Sequence, residues 1–386
     1  MAHGLILDYA LLRETWWLLM GVLLIGFAVM DGFDLGTAGL LPFIAKTDED
    51  RRVVINTIGP VWEGNQVWFI LGGGAVFAAW PYVYAVSFSG FYLAMFVLLL
   101  TFILRPVAIK FRSKFNAARH RFIWDWVLCI AGILAMTLFG VAVGNAMEGV
   151  PFSFNDDMRM TYTGGLIDLV NPFALLCGLV SLTMLLTHGA NYLSLRTTVP
   201  IADRACGAAR ILSLVALVLF VLGGFYAARL PFFMPTVAYF THAAQISPSN
   251  PMHKTVVTVV GGLLNNYHQY AWMMIAPAMG CLGLLGTCAL QFARRPGLAI
   301  VSSGLALFGI IATAGVSMYP FILPSSTYPS QSLTVYDASS SQLTLMIMLA
   351  AAVVFMPVVL AYTAWVYKVL SGKITSASVG ANDQSY

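Results

Sequence analysis

Charge is what this chain is short of. Of 386 residues, 20 are Lys or Arg and 16 are Asp or Glu, 9% together, where a soluble protein carries about 25%. That shortage excludes a soluble globular fold. The net charge of +4 is no sign of nucleic-acid affinity either, because the few basic residues are distributed by topology. Cysteine is also sparse. Cys129, Cys177, Cys206, Cys281 and Cys288 show no CxxC or CxxCH spacing and four lie in apolar runs, so neither a disulfide framework nor c-type haem attachment is supported. Of six histidines, His3, His120, His242 and His253 fall in terminal or loop segments, and only His188 and His268 sit at span ends. No two share a helix face, which leaves a bis-histidine haem unsupported. A single His with a Met partner stays open among 18 Met. Metal-ligand clusters, phosphate-cradling glycine loops and hydrolase triads are absent.

What is present in quantity is apolar surface: 59% hydrophobic residues and a mean hydropathy of +0.83. The reading is an all-α, polytopic membrane protein, a single integral-membrane domain over 1–386. Nine spans are predicted, at 16–41, 60–80, 82–104, 124–146, 166–188, 208–229, 271–292, 298–318 and 343–367. Pro42, Pro60, Pro81, Pro106 and Pro296 punctuate their boundaries, and Trp16, Trp17, Trp80, Trp124 and Trp126 fall at interfacial positions. The first apolar stretch is too long for a signal-peptide core and lacks a basic leader, so it is read as a spanning helix. Thr255–Leu264 is too short to cross and is left in the loop 230–270. Gly72-Gly73-Gly74 is read as close helix packing.

Counting Lys and Arg sets the orientation. One set of connecting segments holds 16 basic residues; the other holds Arg13, Arg159, Arg229 and Lys254. The positive-inside rule therefore predicts an outer N-terminus and a cytoplasmic C-terminus. Leu18-Leu19-Met20-Gly21 through Asp31-Gly32-Phe33-Asp34 aligns without gaps on Leu175-Leu176-Cys177-Gly178 through His188-Gly189-Ala190-Asn191, and Arg105-Pro106 is echoed by Arg295-Pro296. This predicts two parallel four-helix repeats, 16–146 and 166–318, with the ninth helix 343–367 outside them.

Candidate chemistry begins at Asp31 and Asp34. They lie on one helix face, and Asp31 is roughly 22 Å along the helix from Trp16, inside a hydrocarbon layer of about 30 Å. A charge there costs about 2.5–3.5 kcal/mol even on the lenient insertion scale. Glu63 is expected on the first turn of the second span at the same membrane level, followed by Asn65 and Gln66, with Arg105 closing the third. Withdrawal from water disfavours a charged carboxylate, a nearby guanidinium favours it, and a row of such groups can pass protons inward. Each has a plainer role beside this one. Glu63 also complements a helix dipole, the two aspartates also serve as interhelical glue, and Arg105 also anchors topology. His188 reads first as a polar helix-end residue. Pro324–Leu345, with Ser339-Ser340-Ser341-Gln342, reads as an outer loop whose hydroxyls serve turns and capping, with a partner-subunit contact as the alternative.

Several strings then fall together: Trp16-Trp17-Leu18-Leu19, Asp31-Gly32-Phe33-Asp34, Trp62-Glu63-Gly64-Asn65-Gln66-Val67-Trp68, Ala78-Ala79-Trp80-Pro81, Phe88-Ser89-Gly90-Phe91-Tyr92, Arg105-Pro106, Gly149-Val150-Pro151-Phe152, Pro324-Ser325-Ser326 and Ser340-Ser341-Gln342-Leu343-Thr344-Leu345. From about residue 8 to 373 the chain closely resembles subunit II of the cytochrome bd-type quinol oxidases. The resemblance implies a nine-helix subunit paired with a similarly folded subunit I that holds two b-type haems and haem d and carries the quinol-oxidising loop. It implies a complex that oxidises quinol, reduces oxygen to water and draws its protons from the cytoplasm without pumping. It further implies a proton path starting at Glu63 with Asp34 nearby, a structural quinone within subunit II in some members, and small single-helix subunits. Two positions depart from the pattern. Glu63 stands where some relatives have Asp, and His188 stands where Gln is expected, which reopens the question of a ligand in this subunit. A proton-coupled secondary transporter, which buried acids and repeats also suit, is the rival function; a purely structural partner is the third.

Overall fold

A computed structural model describes residues 7–115, 117–252 and 254–380; His3 and His253 lie outside them. The helices in chain order are α1 (Tyr9–Ile44), α2 (Asp48–Ile58), α3 (Trp62–Ala79), α4 (Pro81–Gly90), α5 (Tyr92–Phe111), α6 (Ala118–Glu148), α7 (Pro172–Arg196), α8 (Ile201–Ala227), α9 (His242–Gln245), α10 (Asn265–Gln269), α11 (Ile275–Phe292), α12 (Pro296–Met318), α13 (Gln342–Val369) and α14 (Ser376–Gly380). Local chemistry sets many of their ends. Asp8 caps α1 by accepting from the Ala10 and Leu11 amides, Asn171 caps α7 just ahead of Pro172, and Ser341 caps α13. The α7 cap moves the predicted fifth span from 166–188 to Pro172–Arg196. The Ser341 cap is one of the roles expected of the serine-rich loop.

Among the described residues, eight helices are long and apolar enough to cross a membrane: α1, α5, α6, α7, α8, α11 with its preceding turn, α12 and α13. Two of the nine predicted crossings, 60–80 and 82–104, depart from a single unbroken apolar helix. α3 is 18 residues long with Glu63, Asn65 and Gln66 in its first turn and a half. The predicted span 82–104 is two helices, α4 and α5, broken at Phe91 directly after Gly90. Glycine is a poor helix former, and here the Tyr162 ring sits 2.6 Å from where a Cβ on Gly90 would stand.

Three short antiparallel hairpins fill the connections at one end of the bundle: β1 (Phe152–Phe154) with β2 (Met160–Tyr162), β3 (Pro231–Pro235) with β4 (Val256–Val260), and β5 (Phe321–Leu323) with β6 (Leu333–Thr334). Thr255–Leu264 thus contributes a strand and does not cross. The connections at the opposite end carry α2, whose acidic first turn, capped by Thr47, leads into a buried face of Val53–Ile58.

The two halves meet backbone to backbone. A Cβ on Gly36 of α1 would fall 2.2 Å from the Leu185 carbonyl of α7 and 3.0 Å from the Gly189 Cα, so only glycine permits this crossing. Gly140 and Gly144 bring α6 equally close to α7. Between α1, α3, α5 and α6 the rings of Phe27, Phe69, Phe102 and Phe139 interlock at centroid separations of 5.0–6.3 Å, each good pair adding about 0.5–1.5 kcal/mol beyond burial. Gly72, Gly73 and Gly74 do not behave as expected: among the described residues, nothing beyond their own helix backbone comes within 4 Å of a Cβ on any of them. The last spanning helix, α13, is peripheral, with Leu345 its one buried residue among those described.

Candidate functional site

Asp31 and Asp34, three residues apart, share a face of α1 and are wholly buried. Arg105, 1% exposed, reaches across from α5 and meets both Asp31 oxygens, at 2.9 and 3.1 Å. Its other amino group donates to Gln66 Oε1 at 3.3 Å, and its guanidinium lies over the rings of Phe102 and Trp62. Buried charges persist only when paired and hydrogen-bonded, and the Asp31–Arg105 contact meets that condition.

Asp34 is held differently. One oxygen accepts from Asn65 Nδ2 at 2.7 Å, and Asn65 Oδ1 in turn accepts from the Tyr367 hydroxyl of α13 at 2.7 Å. The other Asp34 oxygen and the Thr37 hydroxyl one turn on have no protein partner among the described residues. Phe33 stacks on Tyr192 at 4.1 Å, with Tyr367 edge-on to the same ring, and the Tyr192 hydroxyl donates to the Thr57 carbonyl. Two carboxyl groups therefore share one buried guanidinium. The site has one proton-binding group more than Arg105 neutralises.

Five of the six candidates, Asp31, Asp34, Asn65, Gln66 and Arg105, come together here. Glu63 does not join them. Its side chain is 64% exposed and its partner is Lys110, at 3.0 Å. At about 100° per residue, Glu63 and Asn65 point to opposite sides of α3. Tyr367 and Tyr192 escaped the sequence reading because an aromatic near a span end looks like an interfacial anchor. The weak signal available was a hydroxyl-bearing ring on the last helix at the level of the acids.

The second half carries neutral groups at the echoed positions. His188, matching Asp31, has both ring nitrogens engaged, Nδ1 with Ser303 Oγ at 2.7 Å and Nε2 with the Val29 carbonyl at 3.0 Å. Asn191, matching Asp34, accepts from Gln291 at 2.6 Å. A buried imidazole with both nitrogens hydrogen-bonded is not free to ligate iron. No group of three or more His, Cys, Asp or Glu converges among the described residues. His188 thus does not fit a haem ligand.

Residues 12–370 match the family model described as cytochrome bd terminal oxidase subunit II. The chain is similar to a probable cytochrome oxidase subunit 2 of Haemophilus influenzae, 46% identical over 98% of this chain and 99% of that one. It is similar over the same shares, at 44% identity, to the cytochrome bd-I ubiquinol oxidase subunit 2 of Escherichia coli K12. Its fold resembles a chain in the structure of the bd oxidase from Geobacillus thermodenitrificans, with a TM-score of 0.67 over 93% of this chain and 98% of that one at 15% identity. A free-standing transporter is set aside by these matches. The chain belongs to the cytochrome bd terminal oxidase subunit II family, and is a multi-pass inner-membrane subunit of a haem-containing terminal quinol oxidase.

Proposed function

We propose that this subunit supplies the cytoplasmic proton path of the oxidase and encloses haems held mainly by subunit I, where quinol is oxidised and oxygen reduced to water. The observation that carries the proposal is Asp34: buried, in excess over the one available guanidinium, and wired through Asn65 to Tyr367. Its unpartnered oxygen and the Thr37 hydroxyl are free to bond the water that brings or takes a proton. Asp31 and Arg105 are a fixed pair that sets the local field. Glu63, exposed beside Lys110, is the collecting group at the mouth, and Gln66 bridges the α3 face towards Arg105. The 16-to-4 distribution of basic residues supports placing this end in the cytoplasm, with the N-terminus outside.

The finer architecture belongs to the same proposal. Nine crossings result when α4 and α5 count as one, arranged as two four-helix repeats with α13 outside them. In support, α1 packs on α3 and α6 while α7 packs on α8 and α12. The haems b and haem d sit in subunit I, consistent with the engaged nitrogens of His188. The bare glycines of α3 and the uncovered α13 suit the face towards subunit I. Structural quinone in this subunit and small single-helix partners complete the reading.

Glu63→Gln and Asp34→Asn in the intact complex test the path. Quinol oxidase turnover and proton uptake from the inner side are expected to fall more than tenfold, at least about 1.4 kcal/mol on the barrier, with haem content near normal. Unchanged rates in both variants would remove the relay role.

A further inference from the structure

Away from the carboxylate site, an open cleft of about 390 Å³ lies where α1 ends and α6 begins, lined by Lys46, Asp48, Arg51, Ala118, Arg119, Arg121 and Phe122. Four cations and one anion line it, an excess of three positive charges. Beneath it Arg112 and Asp125 cancel one another: Asp125 accepts from Arg112 at 2.5 Å and from Arg51 at 2.8 Å, and Asp48 from Arg112 at 2.7 Å and Arg121 at 3.2 Å. Arg51, Arg112 and Arg121 are thereby held by acids. Lys46 and Arg119 have no acidic partner among the described residues, so the uncompensated charge of the cleft resides on them.

The side chains continuing from the cleft decide what fits. Arg119, Phe122, Ile123, Trp126 and Ile130 are all exposed. At about 100° per residue they form one stripe down α6, inside a helix apolar enough to span the membrane. Phe43 of α1, also exposed, meets Trp126 edge-on at 6.0 Å, and Phe122 lies 6.4 Å from the same ring. A basic cleft at a membrane boundary, opening directly onto an aromatic and aliphatic stripe, matches a molecule with an anionic head and hydrocarbon tails. A soluble phosphate would use the cations and leave the stripe idle.

We propose that this cleft binds the phosphodiester headgroup of an anionic phospholipid, with an acyl chain lying along Phe43, Phe122, Trp126 and Ile130. Lys46 and Arg119 supply the free charge; Arg51 and Arg121 are held in place by Asp125 and Asp48 and donate their remaining N–H groups. This rests on the membrane-spanning fold alone, so failure of the proton-path reading would leave it standing.

The test is native mass spectrometry of the intact oxidase titrated with dioleoyl phosphatidylglycerol, with dioleoyl phosphatidylcholine and inorganic phosphate as comparison probes. Lys46→Gln with Arg119→Gln leaves the Arg112–Asp125 network untouched and is expected to weaken one phosphatidylglycerol roughly thirtyfold, at about five- to sixfold per cation. Lys46→Arg with Arg119→Lys is expected to retain it, and Phe122→Ala with Trp126→Ala to weaken it with the charges in place. Phosphatidylcholine is expected not to compete. Equal phosphatidylglycerol occupancy in wild type and the Gln variant would overturn the site. Inorganic phosphate binding as tightly, with the aromatic variant unaffected, would overturn the lipid in favour of a free anion.

Discussion

Breaking the Asp31–Arg105 pair separates a fixed structural charge from the proton carrier proposed at Asp34. At 2.9 Å and an effective dielectric of 20, the attraction is about 6 kcal/mol, and desolvation of the two ions offsets much of it. Removing one partner is a different perturbation, because the survivor stays buried without its counter-charge, at a cost of about 3–5 kcal/mol. Asp31→Asn and Arg105→Met are each expected to melt well below wild type in the assembled complex, by roughly 5–10 °C, followed through haem absorbance at fixed scan rate. The double variant, with neither charge, is expected to melt above both singles. Asp34→Asn is expected to melt within a few degrees of wild type, since it exchanges one charge-assisted hydrogen bond for a neutral one, about 1 kcal/mol. Strictly additive losses in the double variant, or Asp34→Asn as damaging as Asp31→Asn, would refute this division of labour.

Tyr367→Phe removes the donor to Asn65 and is expected to slow turnover several-fold at normal haem content, measured as quinol-dependent oxygen consumption. Gly36→Ala drives a Cβ onto the Leu185 carbonyl and is expected to abolish the haem-containing complex in membranes. Gly207→Ala, with nothing within 4 Å, leaves expression and melting unchanged. Asp50 accepts from Arg204 at 3.0 Å and from the Lys46 amide. Burial pushes its carboxyl up, but these bonds outweigh it and hold it below the usual carboxylate range. Its stabilisation is therefore present above that range and is lost as pH falls through it, when the unfolded chain takes up the proton first. Asp50→Asn is expected to lower the melting temperature at pH 7 by the equivalent of about 1.5–3 kcal/mol, with the gap to wild type closing only as pH falls below the ordinary carboxylate value. A constant gap would refute it.

The spans were legible because hydrocarbon burial selects apolar length, and the two aspartates because nothing near them in sequence explains a charge at that depth. Direction around a helix was less legible. Asn65 and Glu63 are two residues apart, and a reading by membrane level joins them where helical rotation separates them. Tyr367 is 302 positions from Asn65, so no local pattern reports the contact. Gly36 and Gly72 look alike in sequence, yet one lies against another backbone and the other is bare; which helix faces which is a tertiary fact. The close approach of Tyr162 to Gly90 comes from a distant hairpin, and α2 hides because its charged first turn masks the apolar face that follows.

The hydroxyl that completes the Asp34 chain is carried on α13, the helix with least hold on its own subunit. With Leu345 its one buried residue among those described, α13 is tied to the rest of the subunit through Gln342 on Leu7, Leu345 on Trp16 and Tyr367 on Asn65. Any change in how this helix seats therefore reaches Asp34 through a single hydrogen-bonded amide.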